Sequence, residues 1–573
     1  MRAPIRLTSL AVAAVMLAAG CGAATPSAAP AVVSPTPPAA SATVAPGAAC
    51  TPATTPTAHD WNERTWYELF VRSFADGDGD GIGDFKGLTA KLDYLNDGDP
   101  TTTTDLGVGG LWLMPVAESP SYHGYDVTDY RAVEPDYGTK ADFLAFIAAA
   151  HERGIKVIVD LVMNHTASDN AWFTASATRK GAKADWYVWS DDNPGWLGPG
   201  GQVAWHPLDN RWYYGVFSDA MPDLNLRNDA VTAELKDVAR YWLADMGVDG
   251  FRLDAAKHLI EDGKDAQTNT PETHAWLAGF KASVDAVNPG AMLVGEVWDP
   301  ASVAGGYVPA SLDLTFDFGL AAAYRVALQN GRAAPLRTAL LDTAAAWPAN
   351  QDASFLTNHD QTRIMTELRG DPAAAKLAAF LLLTGPGTPF LYYGEEIGMT
   401  GTKPDERIRT PMRWTADPAT AGFTTGTPWE ALSDDDPATV NVAAQAADRG
   451  SLLAAYQDLV RVRGQQPALR DGGTTLVDSD AEPVIGWLRT TADATILALV
   501  NVSDQPVEGY TLTLRDGPFC GPEAATLLGS VNGDPATSVS APRVNAEGGV
   551  DAWTPVATLP PRTGFLVSLA PAP

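Results

Sequence analysis

The sequence predicts an α/β fold, a (β/α)8 TIM barrel with a small inserted domain after its third strand and a C-terminal antiparallel β-sandwich. Eight short apolar runs end in polar residues, and amphipathic stretches with a helical period separate them. From about Thr474 the pattern changes to short alternating strands separated by turns. Strands that alternate with helices favour parallel pairing, and right-handed crossovers leave few other topologies.

Eight apolar runs define the strands of the predicted barrel. The eight candidate strands begin at Thr65, Gly109, Lys156, Val248, Ala291, Leu312, Ala353 and Thr388. Apolar residues recur at helical spacing in three further stretches: Phe143, Phe146, Ile147 and Ala150; Leu235, Val238, Ala239 and Trp242; Leu452, Tyr456, Leu459 and Val462. These stretches are predicted to be helices that pack on the outside of the barrel.

The domain boundaries follow from changes in composition. About sixty residues rich in Trp, Gly, Pro and Asp separate the third strand from the next helix, and a loop of this length indicates an inserted domain. We predict a signal peptide (1–21), an Ala/Pro/Thr linker without a core (22–58), the barrel (59–163 and 228–473), the inserted domain (164–227) and the β-sandwich (474–573).

Charge and composition exclude some classes of partner. The chain has 573 residues, a formal net charge of −30 and a pI near 4.5. Nucleic acids and anionic membrane surfaces need basic patches, so neither is an expected partner. Seventeen Trp and sixteen Tyr would suit sugar rings, although most Trp residues in a large protein belong to the core. We expect a monomer.

The first residues resemble an export signal. Arg2 and Arg6 precede an apolar run from Leu7 to Ala19, which is too short to span a membrane. The segment that ends in Cys21 resembles the lipobox of bacterial lipoproteins, although leucine usually stands where this chain has Ala18. We therefore expect an extracellular or cell-surface protein anchored through a lipid on Cys21, with simple secretion as the alternative.

Two further cysteines, Cys50 and Cys520, lie far apart in the sequence. In an oxidising compartment they could form a disulfide.

Polar residues close four of the predicted strands. They are Asn164 and His165, Arg252 and Asp254, Glu296, and His359 and Asp360. Active sites of such barrels lie at the carboxyl ends of the strands, so these side chains should converge on one cleft. On its own segment, Asp254 could equally form a buried structural ion pair with Arg252.

Four motifs resemble those of the alpha-amylase family, glycoside hydrolase family thirteen. They are DLVMNH (160–165), GFRLDAAKH (250–258), GEVWD (295–299) and FLTNHD (355–360), in the order and barrel positions of that family. The resemblance implies that Asp254 is the nucleophile, Glu296 the general acid/base and Asp360 a third carboxylate that stabilises the transition state. It also implies that Tyr125, His165, Arg252 and His359 surround the reacting sugar.

The charged neighbours suggest how the two roles are divided. We expect nearby carboxylates to keep Glu296 protonated near neutral pH, and Arg252 to keep Asp254 ionised.

Weaker sequence signals indicate whether the chain cleaves alpha-glucans internally or from an end. MPDLN (221–225) resembles a motif of an intermediate group that includes alpha-amylases, and Lys257 with His258 resembles the pair that binds sugar beyond the cleavage point. Exo-acting glucosidases have an Asp-Asn-Gly-Tyr segment whose aspartate caps the terminal glucose, and this chain has Tyr122-His123-Gly124-Tyr125 there, which favours an open cleft and internal cleavage. RTPMRW (409–414) resembles a segment that is also common in the glucosidase and trehalulose-forming groups. An exo-alpha-glucosidase, an oligo-1,6-glucosidase or a trehalose synthase-type transglycosylase is therefore the alternative. The alternative that is not an enzyme is a catalytically inactive lipoprotein that binds glucans at the cell surface.

A loop after the first strand has the pattern of a Ca²⁺ site. Asp76, Asp78, Asp80, the Ile82 carbonyl and Asp84 follow the ligand order of an EF-hand loop, but the twelfth position is Gly87 and not Glu. The family pattern implies a second Ca²⁺ at Asn164, Asp223 and His258.

Overall fold

Eight parallel strands close into a barrel in the computed structural model, which describes residues 54–57, 59–521 and 523–571. The strands are β1 (Trp66–Leu69), β2 (Gly110–Leu113), β3 (Lys156–Leu161), β4 (Gly250–Leu253), β5 (Met292–Gly295), β6 (Leu314–Phe316), β7 (Asp352–Phe355) and β8 (Thr388–Tyr392). Each strand pairs with the next along the chain, and β8 pairs with β1. The barrel and all eight predicted strands are confirmed.

The alternation of side chains along the strands separates two cores. Trp66, Trp112, Phe316 and Phe390 belong to one buried cluster built from barrel strands. Tyr67, which alternates with Trp66 on β1, belongs instead to the larger core that includes the helices. Each fully buried large side chain contributes about 2 kcal/mol through removal of apolar surface from water.

Three of the helices, Lys140–Glu152, Asp229–Arg240 and Leu452–Gln465, carry the apolar stripes that the sequence predicted. The helices are Val71–Phe74, Phe85–Ala90, Leu92–Leu95, Lys140–Glu152, Ala171–Ala177, Asp229–Arg240, Pro271–Val287, Ala301–Ala304, Phe318–Asn330, Ala334–Ala346, Ile364–Glu367, Pro372–Thr384, Asp405–Ile408, Val442–Ala446, Leu452–Gln465 and Pro467–Arg470. Helix Lys140–Glu152 begins at a capping box of Thr139 and Asp142 and buries the predicted stripe from Phe143 to Ala150. Trp242 is buried in a π-helical turn that follows helix Asp229–Arg240.

The segment after β3 forms a small unit beside the carboxyl end of the barrel. It contains a three-stranded antiparallel sheet of Trp189–Ser190, Trp205–Leu208 and Arg211–Tyr214. His165 and Asp223 form a β-bridge, so the two ends of the segment meet next to β3. A second hairpin, of Ala117–Glu118 and Asp129–Val133, precedes it in the chain.

A seven-stranded antiparallel sheet follows the barrel. Its strands are β9 (Gly473–Ser479), β10 (Val484–Thr490), β11 (Thr495–Asn501), β12 (Leu512–Asp516), β13 (Glu523–Val531), β14 (Gly548–Trp553) and β15 (Thr563–Pro571), in the order β13-β15-β11-β10-β9-β12-β14. The first part of β9 pairs with β10 and its end pairs with β12, so β9 joins two halves of the sheet. Leu497, Phe565, Leu512 and Trp553 from both halves share one core, as a sandwich requires.

Several predictions concern residues that the structure does not describe. The signal peptide, Cys21, Cys50 and nearly all of the linker lie outside the described residues. Cys520 is disulfide-bonded, but its predicted partner Cys50 lies outside them. Among the helices of the described residues, none is long and apolar enough to cross a membrane.

Candidate active site

One guanidinium holds the two central carboxylates together. Arg252 lies on β4, and Asp254 follows it on the same face. Arg252 Nη1 lies 2.8 Å from Asp254 Oδ1, and its Nη2 lies 2.8 Å from Glu296 Oε2. The Arg252 side chain is 1% exposed, whereas those of Asp254 and Glu296 are 12% and 18% exposed. The two carboxylates therefore keep an open side while a buried cation holds them from behind.

A third carboxylate behind Arg252 was not singled out by sequence reasoning. Asp160 pairs with Arg252 in the register of β3 and β4, and its Oδ1 lies 2.7 Å from Arg252 Nη1. Its Oδ2 accepts a hydrogen bond of 3.0 Å from the Tyr125 hydroxyl. Burial raises the pKa of Asp160 to about 7, although Arg252 opposes this shift. In the sequence, Asp160 could have been identified from its position as the first residue of the DLVMNH motif.

The predicted residues after β7 form a second ionic group. His359 Nε2 lies 3.1 Å from Asp360 Oδ2, and Arg409 Nη2 lies 3.0 Å from Asp360 Oδ1. Burial alone would raise the pKa of Asp360, but His359 and Arg409 outweigh it and lower that pKa. Arg409, from the RTPMRW segment, is therefore a site residue that the sequence left unassigned.

Arg252 does not separate the roles of Asp254 and Glu296 as the sequence suggested. Its two Nη groups contact both carboxylates. Burial raises the pKa of Glu296 and that of Asp254, and Arg252 opposes both shifts. Asp254 and Asp360 add to the rise at Glu296, so its protonated form is favoured by burial and by like charge.

The residues predicted to bind sugar beyond the cleavage point lie along one wall. Lys257 Nζ lies 3.0 Å from Asp299 Oδ2 and donates to the Trp298 carbonyl at 2.7 Å. The His258 ring lies 5.4 Å from the ring of Phe217, which also faces His165 at 5.3 Å. Trp298 is 49% exposed and Phe217 is 43% exposed. Two exposed aromatic rings therefore accompany Lys257 and His258.

The imidazole groups of this wall are neutral. Burial lowers the pKa of His165 and that of His258 to about 4. The His165 Nε2 lies 3.0 Å from the Tyr125 carbonyl oxygen, so this nitrogen carries the proton and donates.

The opposite wall surrounds Arg409. Its guanidinium lies 6.0 Å from the ring centre of Tyr122, which stacks on Trp429 at 5.4 Å. His123 Nδ1 accepts a hydrogen bond of 3.1 Å from the Tyr125 backbone N–H. The intervening Gly124 has a φ of +80°, and a Cβ there would lie 2.8 Å from Pro115, so glycine is required in this turn.

The acidic loop after β1 brings three of its predicted ligands together. Asp76, Asp78 and Asp84 each place a carboxylate oxygen within 4.8 Å of the others. Asp80 is not part of this group, and its Oδ1 accepts the Ile82 N–H at 2.8 Å. Burial raises the pKa of Asp84, and the charges of Asp78 and Asp76 add to this rise. A divalent cation fits this donor set, since it would relieve the repulsion.

The residues of the second predicted Ca²⁺ site are only partly assembled. Asn164 lies beside Asp223, and its Oδ1 is buried without a hydrogen-bond partner in the described part of the chain. Burial raises the pKa of Asp223 well above its ordinary value, and Glu261 adds to the rise. The His258 ring contacts Phe217 in a T-shaped arrangement, and its Nδ1 also lacks a hydrogen-bond partner among the described residues.

Comparisons with known proteins show the family and the fold of this chain. Residues 68–472 match the family model for the alpha-amylase catalytic domain. The chain is 37% identical over 457 residues to Alpha-amylase 3 of Dictyoglomus thermophilum, covering 78% of this chain and 87% of that protein. It is 34% identical over 498 residues to the trehalose synthase/amylase TreS of Mycolicibacterium smegmatis, covering 76% and 82%. The solved alpha-amylase from H. orenii superposes with a TM-score of 0.74 at 36% identity, covering 88% and 99%.

Proposed function

Because the chain belongs to the alpha-amylase family of glycoside hydrolases, we propose that it is a retaining enzyme that cleaves alpha-1,4-glucosidic bonds in starch, glycogen or maltooligosaccharides. The observation that carries this proposal is the bridge from Arg252 to both Asp254 and Glu296. Retaining hydrolysis needs a nucleophile and an acid close together on either side of the bond that breaks. A single guanidinium that contacts both carboxylates provides this proximity.

The reaction follows from the environment of each carboxylate. The ionised Asp254 attacks the anomeric carbon, and Glu296 gives its proton to the departing glycosidic oxygen. Glu296, now ionised, then takes a proton from water, which displaces Asp254 from the sugar and restores both groups. Asp360, whose pKa is lowered by His359 and Arg409, stays ionised and stabilises the positive charge that develops on the sugar ring.

The cleft wall beyond the cleavage point supports internal cleavage. Phe217 and Trp298 offer exposed rings on which sugars can stack, and His258 and Lys257 lie next to them. Two such rings would bind glucose units of a leaving chain. We therefore favour an endo-acting alpha-amylase.

A second candidate is an exo-alpha-glucosidase, an oligo-1,6-glucosidase or a trehalose synthase-type transglycosylase. Arg409 of the RTPMRW segment favours it, because this residue contacts Asp360 and lies beside Tyr122. A relative named trehalose synthase/amylase is also 34% identical to this chain.

The products from soluble starch, maltose and pullulan separate these candidates. We expect starch to yield a mixture of maltooligosaccharides early in the reaction, with little turnover of maltose. Release of glucose alone from starch would contradict internal cleavage and support the exo-acting candidate. Conversion of maltose into a non-reducing disaccharide would support the transglycosylase. Starch binding without any new reducing ends would instead support a glucan-binding lipoprotein.

We also propose that Asp76, Asp78 and Asp84 bind Ca²⁺. Their mutual proximity and the raised pKa of Asp84 support this proposal. The loop is joined to the cleft wall, because the Trp429 N–H donates to the Gly81 carbonyl at 2.9 Å and Trp429 stacks on Tyr122. A bound cation would therefore stabilise this wall and take no part in the reaction.

The location of the enzyme is proposed from its first residues. The charged and apolar segments before Cys21 support export and lipid attachment, and the linker would then hold the enzyme away from the membrane. We propose that it acts on external glucans as a monomer.

A further inference from the structure

Glu68 lies behind the candidate active site and has no role in the reaction described above. It is on β1, its side chain is 3% exposed, and its Oε1 lies 2.5 Å from His359 Nδ1. The His359 backbone N–H also donates to the same oxygen, at 3.3 Å. A carboxylate oxygen can accept two hydrogen bonds, so the second is available to an N–H at His359 Nδ1.

The other ring nitrogen of His359 faces the cleft. Its Nε2 lies 2.7 Å from the Tyr125 hydroxyl oxygen and 3.1 Å from Asp360 Oδ2. The Tyr125 hydroxyl donates to Asp160, which leaves its oxygen able to accept from His359 Nε2, and Asp360 Oδ2 is a second acceptor beside the same nitrogen. A proton on each ring nitrogen, which makes the ring an imidazolium, would fill all of these acceptors.

We propose that Glu68 is a positioning residue that holds His359 as an imidazolium and directs its Nε2–H toward Tyr125 and Asp360. The inference rests on the proposed glycosidase function, since it assigns to Glu68 the orientation of two groups of that site. Through His359, Glu68 keeps a positive charge against Asp360 and fixes the direction of the chain of hydrogen bonds to Tyr125 and Asp160.

The charges around His359 agree with this assignment. Burial alone would lower the pKa of His359, but Asp360 and Glu68 outweigh it and raise that pKa to about 9. Asp160 and Asp254 are further acidic neighbours, while Arg409 contacts the His359 carbonyl through its Nε. The rings of Trp112 and Tyr125, which are uncharged, also lie against His359, at 5.7 Å and 5.6 Å between ring centres. Glu68 also interacts electrostatically with Tyr392 and Glu395.

The test compares the wild-type protein with Glu68→Gln, which keeps the size and removes the charge. The His359 ring is followed by NMR on histidine-labelled protein from pH 5 to pH 10, and its signal is assigned with a His359→Gln variant. We expect the His359 midpoint to fall by about one pH unit or more in Glu68→Gln. The signal of His151, which pairs with Asp249 outside the site, should be unchanged and serves as an internal control.

Kinetics supply a second measurement that a merely structural role would not change. The ratio of kcat/KM of Glu68→Gln to that of the wild type should fall about fivefold between pH 6 and pH 9, because with midpoints near 8 and 9 about a tenth of the variant but about half of the wild type keeps the imidazolium at pH 9. Glu482→Gln removes an exposed carboxylate that pairs with Arg332 far from the site, and it should match the wild type.

The outcomes separate this inference from the proposed function. An unchanged His359 midpoint in Glu68→Gln, or an activity ratio that does not vary with pH, would overturn the role of Glu68. A wild-type protein without glucan hydrolysis would overturn the function, while the NMR titration would still decide whether Glu68 holds the imidazolium. If Glu68→Gln does not fold, a wild-type His359 midpoint at or below about 6.5 would overturn the inference.

Discussion

Two acidic clusters lie at the carboxyl end of the barrel, and they neutralise their charge differently. Arg252, Arg409 and His359 face the carboxylates at the ends of β4, β5 and β7. In the loop from Asp76 to Asp84 the carboxylates accept backbone N–H groups and the Thr424 hydroxyl instead. In the first cluster, fixed side-chain cations lower the pKa of Asp360 and oppose the rise that burial causes at Asp254 and Glu296. Partial charges on the backbone leave room for a metal ion in the second.

The largest expected effect is the loss of activity in Asp254→Asn. The substitution removes the nucleophile, while Arg252 keeps its contacts with Asp160 and Glu296. We expect kcat on soluble starch to fall by about a thousandfold or more, with little change in Tm. Asp352→Asn is the matched control, because Asp352 is a buried aspartate at the opposite end of β7 and should leave activity within about twofold. Full activity in Asp254→Asn would refute the assigned mechanism.

Removal of Ca²⁺ should give the next largest effect, and it acts on stability. A metal present at a hundredfold its Kd stabilises the folded state by about 2.7 kcal/mol, so chelation should lower Tm by several degrees. Asp84→Asn should remove this response and still cap helix Phe85–Ala90, since asparagine is an equally good N-cap.

Asp80→Asn is the control for the loop, because Asp80 lies outside the group of three carboxylates. It should keep most of the response to chelation. If chelation leaves the Tm of the wild-type protein unchanged, the loop holds no stabilising Ca²⁺, and the proposed difference between the two clusters is wrong.

The smallest expected effect is a change of the calcium response with pH. The raised pKa of Asp84 means that the metal-free folded protein holds a proton there more tightly than the unfolded chain does. The metal-free form therefore loses stability as pH rises through this pKa, whereas Ca²⁺ binds the ionised carboxylate. The rise in Tm produced by Ca²⁺ should shrink on acidification, when measured by thermal unfolding between pH 4.5 and pH 8. An equal rise at both ends would exclude Asp84 as a ligand.

The sequence predicted most of the fold because its signals are local. The apolar runs marked all eight barrel strands, and helical spacing marked the buried face of helix Lys140–Glu152. Strand-end placement also identified Asp254, Glu296 and Asp360, because parallel strands in a barrel end on one side. Glu68 and Asp160 gave no such signal, since a single acidic residue within an apolar run has no partner in its own segment.

By itself, the sequence determined the barrel, the strand ends that carry carboxylates and the acidic loop after β1. The period of two along a strand and the spacing of turns are enough for these features. Only the tertiary structure decided which cation faces which carboxylate. Closure of the barrel brings Glu68 to His359 across 291 residues of sequence, and it places Arg252 between Asp160, Asp254 and Glu296. Electrostatic effects depend on distance and burial, and the fold sets both.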